Sequence, residues 1–383
     1  MGTIKPLIRP TPKPLHRRLL IALGWLVHHL APGIKWVVRA FCKILFWHPL
    51  GKMLPAGKKA GFWWFKRLVG ELAYRLALLP LLGAVVWVAT IYAVTHPPRQ
   101  AVATTPEQYS LICKDVQFTT DDGVTLKGWY VNSLAANHPR TDESWRELRP
   151  AVVMCHGYRG TRDQLLHPLG IQLAKAGYDL LLIDMRGHGL SDDAPVSFGT
   201  TEAADVIAAV RFLQDQPGVD DDRIGVLGSG MGGYAAILAG PRCKGVQCVV
   251  AMDTYPSVPL VFRRVAEQMH MPGELGTAFT WGMSAYFGHR LIDDNAADAA
   301  RNFTDRGLLL VSGSADDRVR SEDLDPVITA ASSNAARLVV PGARAGEAAS
   351  NPAAARIILQ YIDGMLVQRG HHARVVATLP PHL

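Results

Sequence analysis

The segment "IGVLGSGMGG", residues 224–233, has the residue types and spacing that most directly suggest chemistry. An apolar run ends there at a cluster of glycines, and a helix-like stretch follows. Such a turn serves one of two purposes. It can hold a nucleophilic serine within Gly-x-Ser-x-Gly on a sharp strand-to-helix turn. Alternatively, Gly-x-Gly-x-x-Gly, supplied here by Gly228, Gly230 and Gly233, can bring backbone N–H groups against the phosphates of a dinucleotide.

The elements that must position this turn alternate along the chain. Two short strands joined by the turn "DDG" come first. From residue 151, apolar runs typical of strands then alternate with helical stretches, ending in a helix over 353–368. This alternation predicts an α/β fold with a mostly parallel, doubly wound sheet covered by helices on both faces. Residues 254–305 interrupt it with aromatic-rich helical sequence, as expected for a small helical lid.

Four segments in a fixed order carry a resemblance to a known family. They are "CHGYRG" (155–160), "DMRGHGLSD" (184–192), "GLLLVSGSADDRV" (307–319) and "VVPGARAGEA" (339–348). In that order, they resemble four features of an α/β-hydrolase. These are the oxyanion loop, the loop after the fourth strand, the strand and turn that deliver the acid, and the stretch that delivers the histidine. The chain is thus similar to the serine aminopeptidase, lysophospholipase and dienelactone hydrolase branch, and the α/β-hydrolase fold is expected.

The resemblance implies a catalytic site in which two of the three side chains are missing. Gly230 stands at the nucleophile position, Ala345 at the histidine position, and Asp316 at the retained acid position. Glycine has no group to attack with, and alanine cannot accept a proton. The oxyanion donors would be the backbone N–H groups of Tyr158 and Met231, which need no particular side chain. A vestigial pocket for a small carbonyl or carboxylate ligand is therefore expected.

Three alternatives stay open at this level. A shifted frame would make Ser229 the nucleophile, but it places Leu227 and Met231 where close strand–helix approach excludes side chains. A dinucleotide loop would use Asp253 as the ribose contact, although such folds normally begin with this unit. His156 could serve as a substitute base, but in the family it is usually structural. The sequence predicts no cofactor and no metal site.

The charge is strongly asymmetric. The whole chain is +7, but residues 1–95 hold 14 Lys and Arg and one acid, Glu71, so the tail is +13 and residues 96–383 are −6. The positive charge belongs to the tail, so we do not expect nucleic-acid binding.

Residues 76–95 form an uncharged stretch long enough to cross a bilayer as one helix. Upstream, 34–47 and 61–68 combine basic and aromatic residues as helices lying on a membrane surface do. The alternatives are a buried core helix for 76–95 and, for the upstream stretches, helices packed on each other or on a partner's membrane helices. Because Lys and Arg resist translocation, the N-terminus is expected in the cytoplasm and the domain outside it, in the periplasm if the source is bacterial.

The expected organisation begins with a basic amphipathic membrane-surface region (1–75), a transmembrane helix (76–95) and a linker (96–109). The hydrolase-like domain (110–370), with its lid at about 254–305, and a C-terminal tail (371–383) follow. Cys243 and Cys248 could close a small disulfide loop or remain free. We expect a membrane-anchored pseudoenzyme that binds membrane lipids and acts as a binding or scaffolding subunit of a membrane protein complex. The alternative is an active esterase-like or peptidase-like hydrolase with rewired catalytic residues.

Overall fold

A computed structural model of the chain describes residues 62–133 and 148–367. The chain divides into two compact units, one ending at Val94 and the other beginning at Thr95. The predicted surface helix at 34–47 and the tail at 371–383 lie outside the described residues.

In the first unit the described residues form one long helix, α1 (Phe62–Thr95). Its segment Val69–Thr95, 27 residues, is long and apolar enough to cross a membrane. Large apolar side chains such as Leu72, Leu81 and Val88 are exposed along it. A helix with exposed apolar side chains suits a lipid environment better than water, so this segment is a candidate membrane span.

The second unit is an α/β domain built on one eight-stranded sheet. Its strands are β1 (Cys113–Thr119), β2 (Thr125–Val131), β3 (Arg149–Cys155), β4 (Asp179–Asp184), β5 (Val219–Ser229), β6 (Val246–Met252), β7 (Gly307–Gly313) and β8 (Ala335–Val340). Its helices are α2 (Ile171–Lys175), α3 (Ala203–Gln214), α4 (Met231–Ala239), α5 (Val258–Gln268), α6 (Gly273–Phe287), α7 (Ala296–Ala300), α8 (Asp325–Ala331) and α9 (Pro352–Leu366).

The strand order is β1-β2-β4-β3-β5-β6-β7-β8. The first two strands form the predicted antiparallel hairpin, and β2 also pairs antiparallel with β4. Every other neighbouring pair is parallel. The central strands are apolar and buried along their length because helices cover both faces. In a parallel sheet the carboxyl ends of these strands share one edge, so the loops that follow β3, β5, β6, β7 and β8 meet there.

Local sequence explains where several helices begin and end. The side chain of Asn351 accepts hydrogen bonds from Ala353 N at 2.9 Å and Ala354 N at 3.1 Å, and Pro352 occupies the first turn of α9. The apolar stretch 165–176 forms a π-type turn over Leu166–Gly170 followed by the short α2. Pro168 has no N–H to donate, which prevents a regular helix through this point.

The segment predicted as a linker, 96–109, is bonded to the domain from its first residues. The carbonyl of Thr95 accepts from Val196 N at 2.7 Å. The guanidinium of Arg99 donates from Nη1 to the carbonyls of Gly189 at 2.9 Å and Ser191 at 2.7 Å. The start of the domain is therefore held by backbone carbonyls and amides rather than left as a free tether.

Asp163 holds the same segment a few residues later. Its Oδ2 accepts from Ala103 N and Thr104 N, both at 2.9 Å. Burial acts to raise the pKa of Asp163, but the hydrogen bond from the Thr161 hydroxyl, together with those from Thr104 N and Ala103 N, lowers it overall, so the carboxylate stays charged.

Candidate active site

Gly230 occupies the turn between β5 and α4 with φ +53° and ψ −113°. L-residues rarely adopt a positive φ of this kind, and a non-glycine residue there costs roughly 1–3 kcal/mol. Space is not the constraint, since a Cβ at Gly230 would find its nearest atoms, the carbonyl oxygen of Asp253 and Cα of Gly157, at 3.9 Å. The turn thus has the sharp shape and open room that a nucleophile would require, with glycine in place of the side chain.

The two flanking glycines fix the frame of this turn. A Cβ on Gly228 would lie 2.3 Å from the backbone carbon and oxygen of Gly232. A Cβ on Gly232 would lie 2.5 Å from the carbonyl oxygen of Cys155. Both positions exclude side chains, and Gly230 is the residue midway between them. In this frame Ser229 is the last residue of β5 and is only 2% exposed.

Two loops bring backbone N–H groups towards the same edge of the sheet. Met231 is the first residue of α4, where backbone N–H groups have no intrahelical acceptor. Tyr158 lies in the loop after β3, next to Gly157, whose Cα faces Gly230. The two residues predicted from the sequence as oxyanion donors thus both lie next to Gly230 at the carboxyl edge of the sheet.

Buried histidines hold the Tyr158 loop in place. Nε2 of His156 accepts from Met185 N at 3.0 Å, so the proton of this imidazole is on Nδ1, which donates to the Gly157 carbonyl at 2.7 Å. Nε2 of His188 accepts from Arg159 N at 3.0 Å. Burial, with the neighbouring His188 adding to it, lowers the pKa of His156 to about 3. His156 is therefore a neutral group that joins two loops.

Asp316 lies in the loop after β7 and is 7% exposed. Its Oδ1 accepts from the backbone N–H groups of Arg318 at 2.8 Å and Val319 at 3.0 Å. Ala345, in the loop after β8, is half-buried, and its carbonyl accepts from Nη2 of Arg318 at 3.3 Å. The structure therefore brings the Asp316 and Ala345 loops together, and backbone amides occupy one oxygen of the retained acid.

Asp253 follows β6 directly and was considered from the sequence only as a ribose contact. It adopts φ +47°, and its backbone N–H donates to the Val311 carbonyl at 2.8 Å. Both carboxylate oxygens are buried, and neither makes a hydrogen bond of normal geometry with the described residues. Burial first, and then the charge of Asp316, raise the pKa of Asp253 to about 7, although the amides of Ala348 and Ala349 act in the opposite direction.

This placement connects the elbow to the acid loop. The Asp253 carbonyl faces Gly230, while its carboxyl group is close enough to Asp316 to feel that charge. A ribose contact would require the carboxylate to face an open groove, and here its oxygens are enclosed. In the sequence, only the position of Asp253 directly after a central strand could have indicated a place at the site, since the residue after a central parallel strand lies at the ligand-binding edge of the sheet.

A series of contacting aromatic rings connects the Tyr158 loop with the lid. The ring of Phe198 stacks on Tyr158 at 4.7 Å between centroids and meets Phe262 of α5 edge-on at 4.9 Å. Phe262 in turn lies 4.9 Å from Phe279 of α6. The predicted lid region thus contains α5, α6 and α7, and two of these helices reach the candidate site through this series of rings.

The cysteines are free in the part of the chain that the structure describes, and Cys243 and Cys248 are both buried. Burial raises the pKa of Cys243 to about 11 and that of Cys248 to about 12, which makes both thiols inert at neutral pH. Among residues 62–133 and 148–367, no group of three or more His, Cys, Asp or Glu side chains is placed to hold a metal ion.

Comparison with known proteins agrees with this architecture. The family model for serine aminopeptidase S33 matches residues 146–271, which contain β3 to β6 and the elbow. The solved structure of the esterase Pf2001 from Pyrococcus furiosus aligns with a TM-score of 0.59 at 25% identity, covering 71% of this chain and 98% of the esterase. The chain belongs to the α/β-hydrolase superfamily. This confirms the family and the α/β-hydrolase fold predicted from the four segments.

Other relatives of the α/β-hydrolase domain are named as a transferase and a thiohydrolase. The polyketide transferase ATR5 of Stachybotrys chlorohalonatus is 31% identical over 151 residues, 39% of this chain and 46% of the relative. The thiohydrolase aneE of Aspergillus aculeatus is 30% identical over 151 residues, 39% of this chain and 43% of the relative. The chain thus spans less than half the length of these curated relatives. The α/β-hydrolase GrgF of Penicillium shares the fold, with a TM-score of 0.52 at 18% identity.

Proposed function

We propose that this protein is a membrane-anchored α/β-hydrolase-like binding or scaffolding subunit of a membrane complex that does not catalyse serine hydrolysis. The observation that carries the proposal is Gly230, which has the backbone shape of a nucleophile elbow and no side chain. The fold and the turn have been kept where the attacking group is absent.

Acyl transfer by a triad needs a nucleophile, a base and an acid that orients the base. Here Gly230 supplies no hydroxyl and Ala345 no imidazole, so Asp316 has nothing to orient. Members of a triad act as a unit, and loss of either the nucleophile or the base alone removes nearly all of its contribution to rate. Two absences therefore leave no serine mechanism in this frame.

The groups that remain at the elbow suit the binding of a small ligand. Backbone N–H groups of Met231 and Tyr158 suit an oxygen carrying negative charge, and Tyr158 and Phe198 offer an apolar wall beside it. A small ligand with a carbonyl or carboxylate group and an apolar body fits this combination. The ligand would be held without a covalent step.

The candidate span supports the membrane part of the proposal. With 14 Lys and Arg and one acid in residues 1–95, the positive-inside rule places the N-terminus in the cytoplasm and the hydrolase-like domain on the other side. The basic, aromatic region before the span would contact membrane lipids or the membrane helices of a partner.

A second candidate function, a hydrolase with rewired residues, is favoured by Asp253. Its carboxyl group is buried near the elbow with a pKa of about 7, and it would act as a general base for a water molecule admitted to its enclosed oxygens, with the same N–H groups stabilising the oxyanion. The names of the relatives, an esterase, a thiohydrolase and a polyketide transferase, agree with acyl chemistry of this kind.

A fluorophosphonate probe tests the first proposal, since labelling needs an activated serine. The full-length protein in mild detergent should remain unlabelled, and so should Gly230→Ser, because Ala345 leaves the new hydroxyl without a base. The double variant Gly230→Ser, Ala345→His restores both groups and should label. Labelling of the parent that Ser229→Ala abolishes would establish the shifted frame and contradict the proposal.

Two further measurements separate the remaining functions. Affinity purification of the full chain from mild detergent should yield a stoichiometric partner if the protein is a complex subunit, and the chain alone if it is not. Hydrolysis of small esters by the parent that Asp253→Asn abolishes, with no fluorophosphonate labelling, would instead support the rewired hydrolase.

A further inference from the structure

The outer face of lid helix α6 is apolar and exposed. Leu275, Ala278, Trp281, Ala285 and Tyr286 all lie on it, and Trp281 is 64% exposed. Their spacing of three and four residues places them on one side of the helix. Apart from Glu274 in the first turn, the exposed face is thus apolar.

The opposite face of α6 is already packed. Phe279 and Met283 are buried there, and a Cβ on Gly276 would lie 2.2 Å from the Phe262 carbonyl oxygen, so α5 approaches the helix closely. Glu274, in the first turn, is the one charged residue among the fifteen of α6. Glu274 lies on the same side of the helix as Ala278 and Trp281, and the rest of that exposed side is apolar and has no cover among the described residues.

This face lies beside the point where the chain leaves the candidate span. The ring of His96, the residue directly after Thr95, meets Tyr286 edge-on with centroids 6.4 Å apart. Chain connectivity alone keeps His96 within one residue of the end of the span. The carboxyl-terminal half of α6 is therefore close to the residue that directly follows the candidate span.

A second exposed apolar side chain lies around the same exit point. Leu190, 64% exposed, sits between Gly189 and Ser191, whose carbonyls both accept from Arg99. Arg99 is four residues beyond the end of the span, and the segment between is bonded to the domain through Thr95. Leu190 and the α6 face thus both lie close to the residues that directly follow the candidate span.

We infer that the outer face of α6, together with Leu190, lies in the interface of the lipid bilayer that α1 crosses. This inference rests on the proposed membrane anchoring. We take lipid as the partner of this face because the chain joins the domain to a helix that would cross a bilayer. Lipid is then always near α6, and no further molecule is needed to cover it. Trp and Tyr are also the aromatic residues that favour the headgroup level of a bilayer. An apolar helix face of this kind enters the boundary between headgroups and acyl chains.

Spin labelling of the full-length protein in phosphatidylcholine vesicles tests the inference. In a background with Cys42→Ser and Cys113→Ser, one variant carries a nitroxide at Ala278→Cys on the α6 face. The control carries it at Lys244→Cys, an exposed residue just before β6, at the opposite edge of the sheet. Collision rates with oxygen, which partitions into lipid, and with a water-soluble nickel chelate are measured for both labels.

The expected result is that oxygen collisions exceed nickel collisions at 278, while nickel collisions dominate at 244. Equal, water-like accessibility at the two sites in protein that floats with the vesicles would overturn the docking of α6 and leave the anchor intact. Protection of 278 from both reagents would also overturn it, since a protein surface would then cover the face. Protein that does not float with the vesicles would refute the anchoring itself.

Discussion

Replacement of Asp253 by Asn tests the burial of this carboxyl group. In the folded protein its pKa is raised from 3.8 to about 7 by burial and by the charge of Asp316, with Arg318 nearby acting the other way. The unfolded chain has no such environment, so its carboxyl group ionises near the ordinary value. Between these two values the folded state holds a proton that the unfolded state has already lost. The contribution of the Asp253 carboxyl group to the free energy of unfolding is fully present below pH 3.8 and is lost as the pH rises through about 7.

The magnitude follows from the size of the shift. Each unit of pKa corresponds to about 1.4 kcal/mol, so the charged carboxylate destabilises the folded protein by on the order of 4 kcal/mol above pH 7 relative to its neutral form. Asn has nearly the same shape and does not ionise. The free energy of unfolding of Asp253→Asn minus that of the parent should therefore rise between about pH 4 and about pH 7 and level off beyond.

Urea unfolding of the full-length protein in a non-denaturing detergent, followed by tryptophan fluorescence at several pH values, measures this difference. Asp317→Asn, at an exposed neighbouring position, is the matched control for the effect of the substitution itself. A pH-independent difference for Asp253→Asn would show that the carboxyl group titrates in the folded protein as it does in water. The proposed role as a base near neutral pH would fall with it.

Three further predictions concern the elbow, the tether and the topology. Gly230→Ala should lower the free energy of unfolding by about 1–3 kcal/mol from backbone strain alone. Gly228→Ala should lower it further, because its Cβ meets backbone atoms of Gly232 at 2.3 Å. The reverse order in urea unfolding would contradict the assignment of Gly230 as the centre of the elbow. Asp163→Ala should speed cleavage by proteinase K at residues 101–104, because the amides of Ala103 and Thr104 lose their acceptor; unchanged cleavage would mean that other contacts hold the segment. A reporter fused after residue 383 should be active only outside the cytoplasm, and cytoplasmic activity would refute the orientation.

The elements of the domain were predictable because their signals are local. The apolar runs of β3 to β8 alternate with helical stretches, and glycines at Gly228, Gly230 and Gly232 have a spacing with one structural meaning in this fold. Pro168 is a further local signal, because it marks the point where the stretch 165–176 departs from a regular helix.

The features that were not predicted depend on contacts between distant residues. Asp163 binds amides about 60 positions earlier in the chain, so a segment rich in proline and threonine looked like an ordinary linker. The enclosure of Asp253 depends on loops that follow β7 and β8, which no local pattern specifies. Likewise, the sequence of α6 shows that the helix is apolar, but only its packing on α5 shows which side remains exposed.

The bonded segment after α1 also determines how the domain would meet other molecules. A free coil of the fourteen residues predicted as linker would let the domain wander about 20 Å from its anchor. Because Thr95, Arg99 and the amides at 103 and 104 are already engaged, that radius is removed. With α1 in a bilayer, the domain would therefore meet its partners by lateral diffusion along the membrane, without a long coil to extend its reach.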